Sequence, residues 1–338
     1  MKKLNKKGFM VAGVVYSILL LFVIIVAALL TLLSNRKNIL DSTNDKLKGE
    51  MNDNMEGVSP GTDEPGTQPD TSHDSSLPSI TVGNPIELGE ASQSMIDTIT
   101  NADNIKRNNN AAGTVDYRYN GPTVNNYVTF SGETWRIIGL VNGRVKIIRN
   151  DSIGDKDWDS SGVNNWDNAS LKTYINGEYY QSLIDKNMVE KTTYNLGGIS
   201  DTNKTVDEIY AMENGTDVYS GHPEVSDSIH IALMYPSDYG YSMKTGDGFC
   251  ESKPVNYDSG DECKVNGTWL YKGTNEWLLA PFSGFGYRAS NVSSSGYLNK
   301  GSNVNISRSV RPSLYLKSSV KIAGGEGTIN NPYTLSEE

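Results

Sequence analysis

The sequence predicts an α+β protein: an N-terminal transmembrane helix, extended as a stalk, then a mixed domain of short antiparallel strands, few helices and long loops. Three observations predict this arrangement. Residues 9–33 are almost wholly apolar, and residues 57–85 are rich in Pro, Gly, Ser and Thr. Beyond them, short β-prone runs alternate with turns that contain Gly and Asn. The chain therefore divides into a membrane part, a linker and one folded domain.

The apolar run is long enough to cross a bilayer. At 1.5 Å per residue, residues 9–33 span roughly 37 Å, more than the ~30 Å hydrocarbon core. A cleaved secretory signal is the alternative, but its apolar stretch has only about 7–15 residues. Basic residues before the run place the N-terminus in the cytoplasm and the C-terminal domain outside the cell: Lys2, Lys3, Lys6 and Lys7. We expect a single-pass cell-membrane protein whose partner is the lipid bilayer.

The rest of the chain follows from periodicity and composition. Residues 1–8 form the cytoplasmic tail, and helical spacing of apolar residues continues the membrane helix as a stalk over 34–56. Gly13 and Ser17 form a small-xxx-small pair that favours self-association of two such helices. Residues 57–90 have the composition of a disordered linker. Residues 91–338 are predicted to fold as one extracellular α+β domain.

A three-stranded meander is the clearest local pattern in this domain. The runs 127–130, 133–140 and 144–148 are separated by Ser131-Gly132 and Asn142-Gly143. Asn-Gly between apolar runs favours a two-residue hairpin turn, because both turn residues need positive φ. Helices are predicted at 92–99 and after Asn168, which suits an N-cap. Further short strands are predicted at 229–234, 277–279, 290–292, 313–316 and 320–322.

Charge and motif content exclude several classes of function. The chain carries a net charge of −10, and its Lys and Arg are concentrated near the N-terminus, so the domain is more acidic still. Such a surface repels phosphate backbones, which excludes nucleic acid as the main partner. Neither a His-Glu-x-x-His zinc motif nor a phosphate-binding Gly loop occurs. We therefore expect a non-enzymatic protein that has no catalytic residues and needs no cofactor.

The two cysteines, Cys250 and Cys263, enclose a short loop. In an exported protein such a pair is most simply a disulfide, and a redox pair or reduced thiols are the alternatives. Closing a loop of this size contributes roughly 3 kcal/mol in the chain-entropy model.

Three carboxylates are spaced like the start of a calcium loop: Asp155, Asp157 and Asp159. The pattern departs from such a loop at its sixth position, Ser160, and its twelfth, Trp166. These residues are weak calcium candidates, and a solvated acidic turn is the alternative.

The segment 283–299 is rich in Tyr, Ser, Gly and Asn, the composition of antibody-like binding loops. Tyr supplies rigid amphipathic area, and the small polar residues supply adaptable hydrogen bonds, which also suits stacking on sugars. The alternative is that such loops merely reflect the composition of an exported protein. The predicted ligand-binding residues are Tyr239, Tyr241, Trp269, Tyr287, Arg288, Asn291, Tyr297 and Asn299.

The junction Lys6-Lys7-Gly8-Phe9, followed by the apolar run, resembles the N-terminus of type IV prepilins and pseudopilins. The resemblance implies that a membrane peptidase cuts between Gly8 and Phe9 and that Phe9 is then methylated. That family has Glu at the fifth mature position, where this chain has Gly13.

A second resemblance covers nearly the whole predicted domain. Recurring segments begin at Thr134-Trp-Arg, Leu171-Lys-Thr-Tyr, Met234-Tyr-Pro-Ser-Asp, Glu276-Trp-Leu and Val310-Arg-Pro-Ser. In that order they resemble a domain of unknown function in surface proteins of gut Firmicutes. The Arg-Pro strand after a loop-rich stretch is also similar to C-type-lectin-like and formylglycine-generating-enzyme-like folds.

Together these features predict a membrane-anchored bacterial cell-surface protein. We expect its extracellular domain to bind a ligand, either glycan or protein, or a host or cell surface, as a non-enzymatic adhesin does. The alternative is a minor pilin or pseudopilin-like component of a type IV pilus or a type II secretion-like apparatus. An enzyme on the formylglycine-generating-enzyme-like fold is a third hypothesis.

Overall fold

The computed structural model describes residues 90–110, 113–244, 250 and 261–337, which belong to one compact unit. Six short α-helices are described: α1 Gln93–Thr100, α2 Ser170–Tyr174, α3 Tyr180–Ser182, α4 Val206–Glu213, α5 Pro236–Tyr241 and α6 Asp261–Lys264. The strands are β1 Ile105–Asn109, β2 Val115–Tyr119, β3 Tyr127–Phe130, β4 Glu133–Val141, β5 Arg144–Arg149, β6 Asp155–Lys156, β7 Ile231–Ala232, β8 Glu276–Pro281, β9 Arg288–Val292, β10 Leu298–Asn303, β11 Arg308–Ser309, β12 Ser313–Tyr315, β13 Val320–Gly324 and β14 Thr334–Glu337.

The described strands form three sheets. The first runs β1-β2-β4-β5-β12-β7, with β3 paired to the other part of β4, and all its pairs are antiparallel. The second runs β10-β9-β8-β11-β6, and its β11–β8 pair is parallel. The third is the β13–β14 hairpin. This part of the chain is therefore a β-rich, mostly antiparallel fold with few helices.

The predicted meander is confirmed. Strands β3, β4 and β5 lie within one residue of the predicted bounds. At the β4–β5 turn, Asn142 has φ 51° and Gly143 has φ 76°. Ser131 and Gly132, between β3 and β4, have φ values of 53° and 75°. Both turns thus have two residues of positive φ, the backbone that the sequence pattern requires.

The two predicted helices have different outcomes. Helix α1 begins one residue later than predicted, and its buried residues, Met95 and Ile99, are spaced i, i+4. The helix predicted after Asn168 is broken into a 3₁₀ turn at Trp166–Asn168, α2, a π-helical turn at Ile175–Tyr179, and α3. The predicted N-cap is wrong: Ala169 caps α2, and Asn165 caps the 3₁₀ turn by accepting from the Asp167 N–H.

The core holds many of the large aromatic side chains of the described domain. All five tryptophans of the chain are buried there: Trp135, Trp158, Trp166, Trp269 and Trp277. Trp158 and Trp166 pack with ring centroids 4.9 Å apart. Trp158 donates through its indole N–H to the carbonyl of Leu278 in β8, which fixes the 158–166 loop against the second sheet.

The structure corrects the predicted fold class and localisation. The longest described helices have eight residues, whereas a bilayer requires about 20. No helix in residues 90–337, as far as they are described, is long and apolar enough to cross a membrane. The transmembrane stalk, the single-pass membrane localisation and the pilin-like classification are therefore unsupported. The segments 1–8, 9–33 and 34–56, the linker up to residue 89, and Gly8 and Phe9 lie outside the described residues.

Candidate functional site

Half of the predicted ligand-binding residues lie in the core rather than at a surface. The Tyr239 hydroxyl donates to the carbonyls of Lys264 and Gly296, at 2.7 and 2.8 Å. The indole N–H of Trp269 donates to the carbonyl of Tyr119 at 2.9 Å. Both side chains are buried, and their polar atoms are already paired inside the fold.

Asn291 and Tyr241 are also buried. The Asn291 side-chain oxygen accepts from the Ser302 hydroxyl at 2.7 Å, so this side chain too is placed in the core and not at the surface. The Tyr241 hydroxyl donates to Asp207 at 2.6 Å. Its ring nevertheless lines a cleft described below. Composition identified these side chains as suitable for binding, but burial is a property of the whole fold.

The other predicted ligand-binding residues lie at or near the surface. Tyr287 is 43% exposed, and Arg288, Tyr297 and Asn299 are half-buried. The sequence reasoning missed Phe285, which is 45% exposed. The guanidinium of Arg288 lies 5.2 Å from the Phe285 ring centroid and 5.4 Å from that of Tyr287. We call the residues 283–288 the aromatic loop.

The backbone of the aromatic loop is fixed by the buried side chain of Asn164. The side-chain amide nitrogen of Asn164 lies within 3.0 Å of the carbonyl oxygens of Phe282, Phe285 and Arg288. A buried amide that pairs with three carbonyls fixes the loop backbone, so the backbone loses little freedom when the loop makes a contact.

The weak calcium candidates do not converge on one point. Asp155 is exposed, and Asp157 accepts from the Ser307 hydroxyl at 2.6 Å. The buried Asp159 carboxylate accepts from the backbone N–H groups of Val163 and Ser170, at 3.0 and 3.1 Å. No group of three acidic, His or Cys side chains suited to a metal occurs in the described part of the chain. Asp159 stabilises its own loop.

Cys250 and Cys263 form a disulfide in the structure. The S–S distance is 2.07 Å and the Cα atoms are 5.5 Å apart, within the usual range for such bonds.

A cleft lies between the β1–β2 hairpin and helix α4, with a volume of about 570 Å³. Helix α4 begins at a capping box in which Thr205 and Glu208 satisfy each other's backbone N–H groups. The cleft is lined by aromatic rings, amides and charges of both signs: Lys106, Arg107, Asn108, Asn109, Asn110, Val115, Asp207, Tyr210, Ala211, Asn214 and Tyr241. We call this the hairpin cleft.

Arg118, on β2, supports the hairpin cleft from within the core. Its guanidinium lies 4.9 Å from the ring centroid of Tyr241 and 5.7 Å from that of Tyr210. It also donates to Asp116 at 3.0 Å and to Asp238 at 3.3 Å. Burial alone would lower the pKa of Arg118, but these two carboxylates raise it above its ordinary value. The cation is therefore permanent and fixes both rings.

Behind Arg118 lies a fully buried ion pair. The Nζ atom of Lys146, on β5, is 2.6 Å from Oδ2 of Asp238, in the first turn of α5. The side chains of both residues are 0% exposed. Burial lowers the pKa of Lys146. The pKa of Asp238 also lies below its ordinary value: burial would raise it, but Lys146 and Arg118 outweigh that effect.

Glu213, at the end of α4, is a further buried ionisable group. It accepts from the backbone N–H of Ser237 at 2.6 Å and from the Ser237 hydroxyl. Burial raises the pKa of Glu213 to about 8. Clusters of perturbed ionisable groups beside a cleft are typical of functional sites, although structural ion-pair networks produce them too.

The sequence reasoning missed the hairpin cleft and the buried charges. One feature of the sequence indicated a buried lysine: Lys146 lies inside an apolar run, Val145-Lys-Ile-Ile148. Strand β5, which contains it, is buried along almost its whole length. A lysine in a central strand needs a buried carboxylate partner. No pattern in the chain indicates which carboxylate that is.

No curated protein and no solved structure matches the chain, so the similarity to C-type-lectin-like folds stays a prediction. One family does match. Its description is "Domain of unknown function", and the match covers residues 142–318, slightly more than half of the chain. Lys146, Glu213 and Asp238 lie inside the matched region, whereas the β1–β2 hairpin lies outside it. The chain thus belongs to the family described as Domain of unknown function (DUF6273).

Proposed function

We propose that the described domain is a non-enzymatic binding domain that takes a carbohydrate in the hairpin cleft. The observation that carries the proposal is the cleft itself, whose volume of about 570 Å³ is of the size that small-molecule sites usually have. Its lining is also mixed: two tyrosine rings, several amides and charges of both signs.

This lining matches the chemistry of a sugar. Sugar hydroxyls both donate and accept hydrogen bonds, and so do side-chain amides such as those of Asn108 and Asn109. The apolar face of a sugar ring packs on aromatic carbon. Tyr210 and Tyr241 line the cleft but are only 9% and 2% exposed, so we expect the amides to supply most of the contacts. Arg118 holds these two rings in place, so the cleft is organised before a ligand enters.

The aromatic loop is the competing location for the same activity. Tyr287 and Phe285 are exposed, but no residue of the aromatic loop lines the hairpin cleft. Pockets enclose most of a small ligand's surface and exposed single rings do not. The hairpin cleft is therefore the favoured location.

A glycan array probed with the full chain tests the proposal. Ala211→Trp places an indole in the hairpin cleft from α4, where Ala211 is half-buried. Ala323→Trp, at an exposed position on β13, is the matched control. We expect at least about tenfold weaker glycan binding for Ala211→Trp and unchanged binding for Ala323→Trp, with both variants folded by circular dichroism.

Two results would contradict the proposal. Absence of any bound glycan for the parent chain would refute carbohydrate binding. Loss of binding in Tyr287→Ala, together with full binding in Ala211→Trp, would move the site to the aromatic loop.

A further inference from the structure

The side chains of Lys146 and Asp238 lie in contact as an amine and a carboxyl group, the two groups that can condense to an amide. The amine nitrogen lies 2.6 Å from a carboxylate oxygen, between residues 92 positions apart in sequence. Neither side chain is exposed to water. Nucleophile and acyl group are therefore held together permanently, which removes most of the entropic barrier to a reaction between them.

The surroundings exclude water and favour the uncharged amine of Lys146. The Lys146 nitrogen lies 4.5 Å from the ring centroid of Tyr235 and 5.5 Å from that of Tyr315. Burial disfavours the ammonium form, so the pKa of Lys146 is lowered. An uncharged lysine amine is a nucleophile. The nearby Glu213, whose pKa burial raises to about 8, is mostly protonated at neutral pH and adds little negative charge.

Arg118 binds the other oxygen of the Asp238 carboxylate. Its Nε atom donates to Oδ1 of Asp238 at 3.3 Å, whereas Lys146 binds the other oxygen, Oδ2. A fixed cation at one oxygen stabilises negative charge there when a nucleophile attacks the carboxyl carbon. The oxygen that accepts from Lys146 is then the one that leaves.

We propose that Lys146 and Asp238 condense into an intramolecular amide that covalently links β5 to α5. The Lys146 ammonium first passes a proton to Oδ2, which gives an amine and a carboxylic acid. The amine nitrogen then bonds to Cγ, and Oδ1 carries the negative charge beside Arg118. A second proton moves from the nitrogen to Oδ2, the Cγ–Oδ2 bond breaks, and one water leaves. One ammonium and one carboxylate become one amide and one water, with no oxidant or cofactor.

Other ion pairs of the described chain lack one of these conditions. Arg311 and Glu276 are equally buried, but a guanidinium does not lose its proton in proteins. Lys172 lies 3.1 Å from Asp167, and both side chains are partly exposed, at 11% and 19%. Water there solvates the ammonium and competes with the amine, so this pair should remain an ion pair. It is the internal control.

Mass spectrometry of the full chain tests the proposal directly. After reduction of the disulfide, we expect the intact mass to be lower than the sequence mass by one water. A protease digest should contain a branched peptide that joins Lys146 to Asp238, while Lys172 and Asp167 occur in linear peptides. Lys146→Arg keeps a cation but should restore the full sequence mass.

The parent chain alone decides the question, whether or not Lys146→Arg folds. Recovery of Lys146 and Asp238 only in linear peptides from purified, folded parent chain would overturn the proposal. So would a loss of one water that persists in Lys146→Arg, because the dehydration would then lie elsewhere. Neither measurement depends on the ligand of the hairpin cleft.

Discussion

The buried pair of Arg311 and Glu276 offers a sharp test of how this fold is stabilised. The Arg311 guanidinium binds the Glu276 carboxylate with two hydrogen bonds, of 2.7 and 2.9 Å. The side chains are 1% and 3% exposed. Glu276→Gln keeps the size of the side chain but removes its charge, and it leaves a guanidinium in the core that cannot release its proton. We expect the free energy of unfolding to fall by about 3–5 kcal/mol.

A surface pair of the same geometry is the control. Arg149 binds Glu133 with hydrogen bonds of 2.9 and 3.0 Å, but these side chains are 20% and 31% exposed. Water there solvates the remaining charge, so Glu133→Gln should cost only about 0–1 kcal/mol. The two substitutions are chemically identical, so the difference between them reports mainly the effect of burial. Glu133→Gln also weakens the hydrogen bond that Glu133 accepts from the Tyr179 hydroxyl at 3.2 Å.

Urea unfolding followed by tryptophan fluorescence measures both costs. All five tryptophans are buried in the described domain, so the signal reports its unfolding. Urea is uncharged and does not screen the ion pairs as guanidinium would. A cost for Glu276→Gln of less than about 1 kcal/mol, or one equal to that of Glu133→Gln, would refute the reasoning from burial.

Three further predictions follow from single sites. Replacing Cys250 and Cys263 by Ser should lower the free energy of unfolding by about 3 kcal/mol, because the open loop gains entropy when unfolded; no change in the urea midpoint would contradict this. Gly139→Ala should destabilise by at least about 1–3 kcal/mol, since its Cβ would lie 2.0 Å from a backbone oxygen of β2. Gly177→Ala, with no atom within 4 Å, is the control and should be neutral or slightly stabilising. Burial raises the pKa of Glu213 from 4.5 to about 8, so the folded chain holds a proton in this range that the unfolded chain has lost. Its stability should therefore decline as pH rises from 4.5 to 8, and Glu213→Gln should flatten that decline in urea titrations at several pH values.

Local elements were the predictable part of the fold. The β3–β4–β5 meander follows from apolar runs separated by residues that tolerate positive φ, and the helix predicted at 92–99 is found as α1, one residue later at each end. Each of these signals lies within a few residues of chain. The helix predicted after Asn168 failed in detail, because a π-helical turn at Ile175–Tyr179 interrupts it.

The segments that resemble the domain of unknown function supply charged residues that pair with one another or with the first sheet. Glu276 and Arg311 come from two of them and pair in the core. Asp238 comes from a third and binds Arg118 and Lys146, which lie on β2 and β5. The sequence shows that charged residues occur within apolar surroundings, but their pairing depends on how the strands of the first two sheets are arranged.

The candidate site was the unpredictable part. Tyr239 and Trp269 have the chemistry of binding residues, yet both are buried and hydrogen-bonded. The hairpin cleft joins a segment near residue 108 to a helix about a hundred positions later, and neither segment carries a distinctive motif.

By itself, the sequence determined the turns, the main antiparallel strands and the acidic character of the chain, because these depend on near neighbours or on composition. Only the tertiary structure decided which aromatic side chains face water, which charges meet in the core and where a cleft opens. Those properties depend on contacts between residues far apart in the chain, and burial sets their energies.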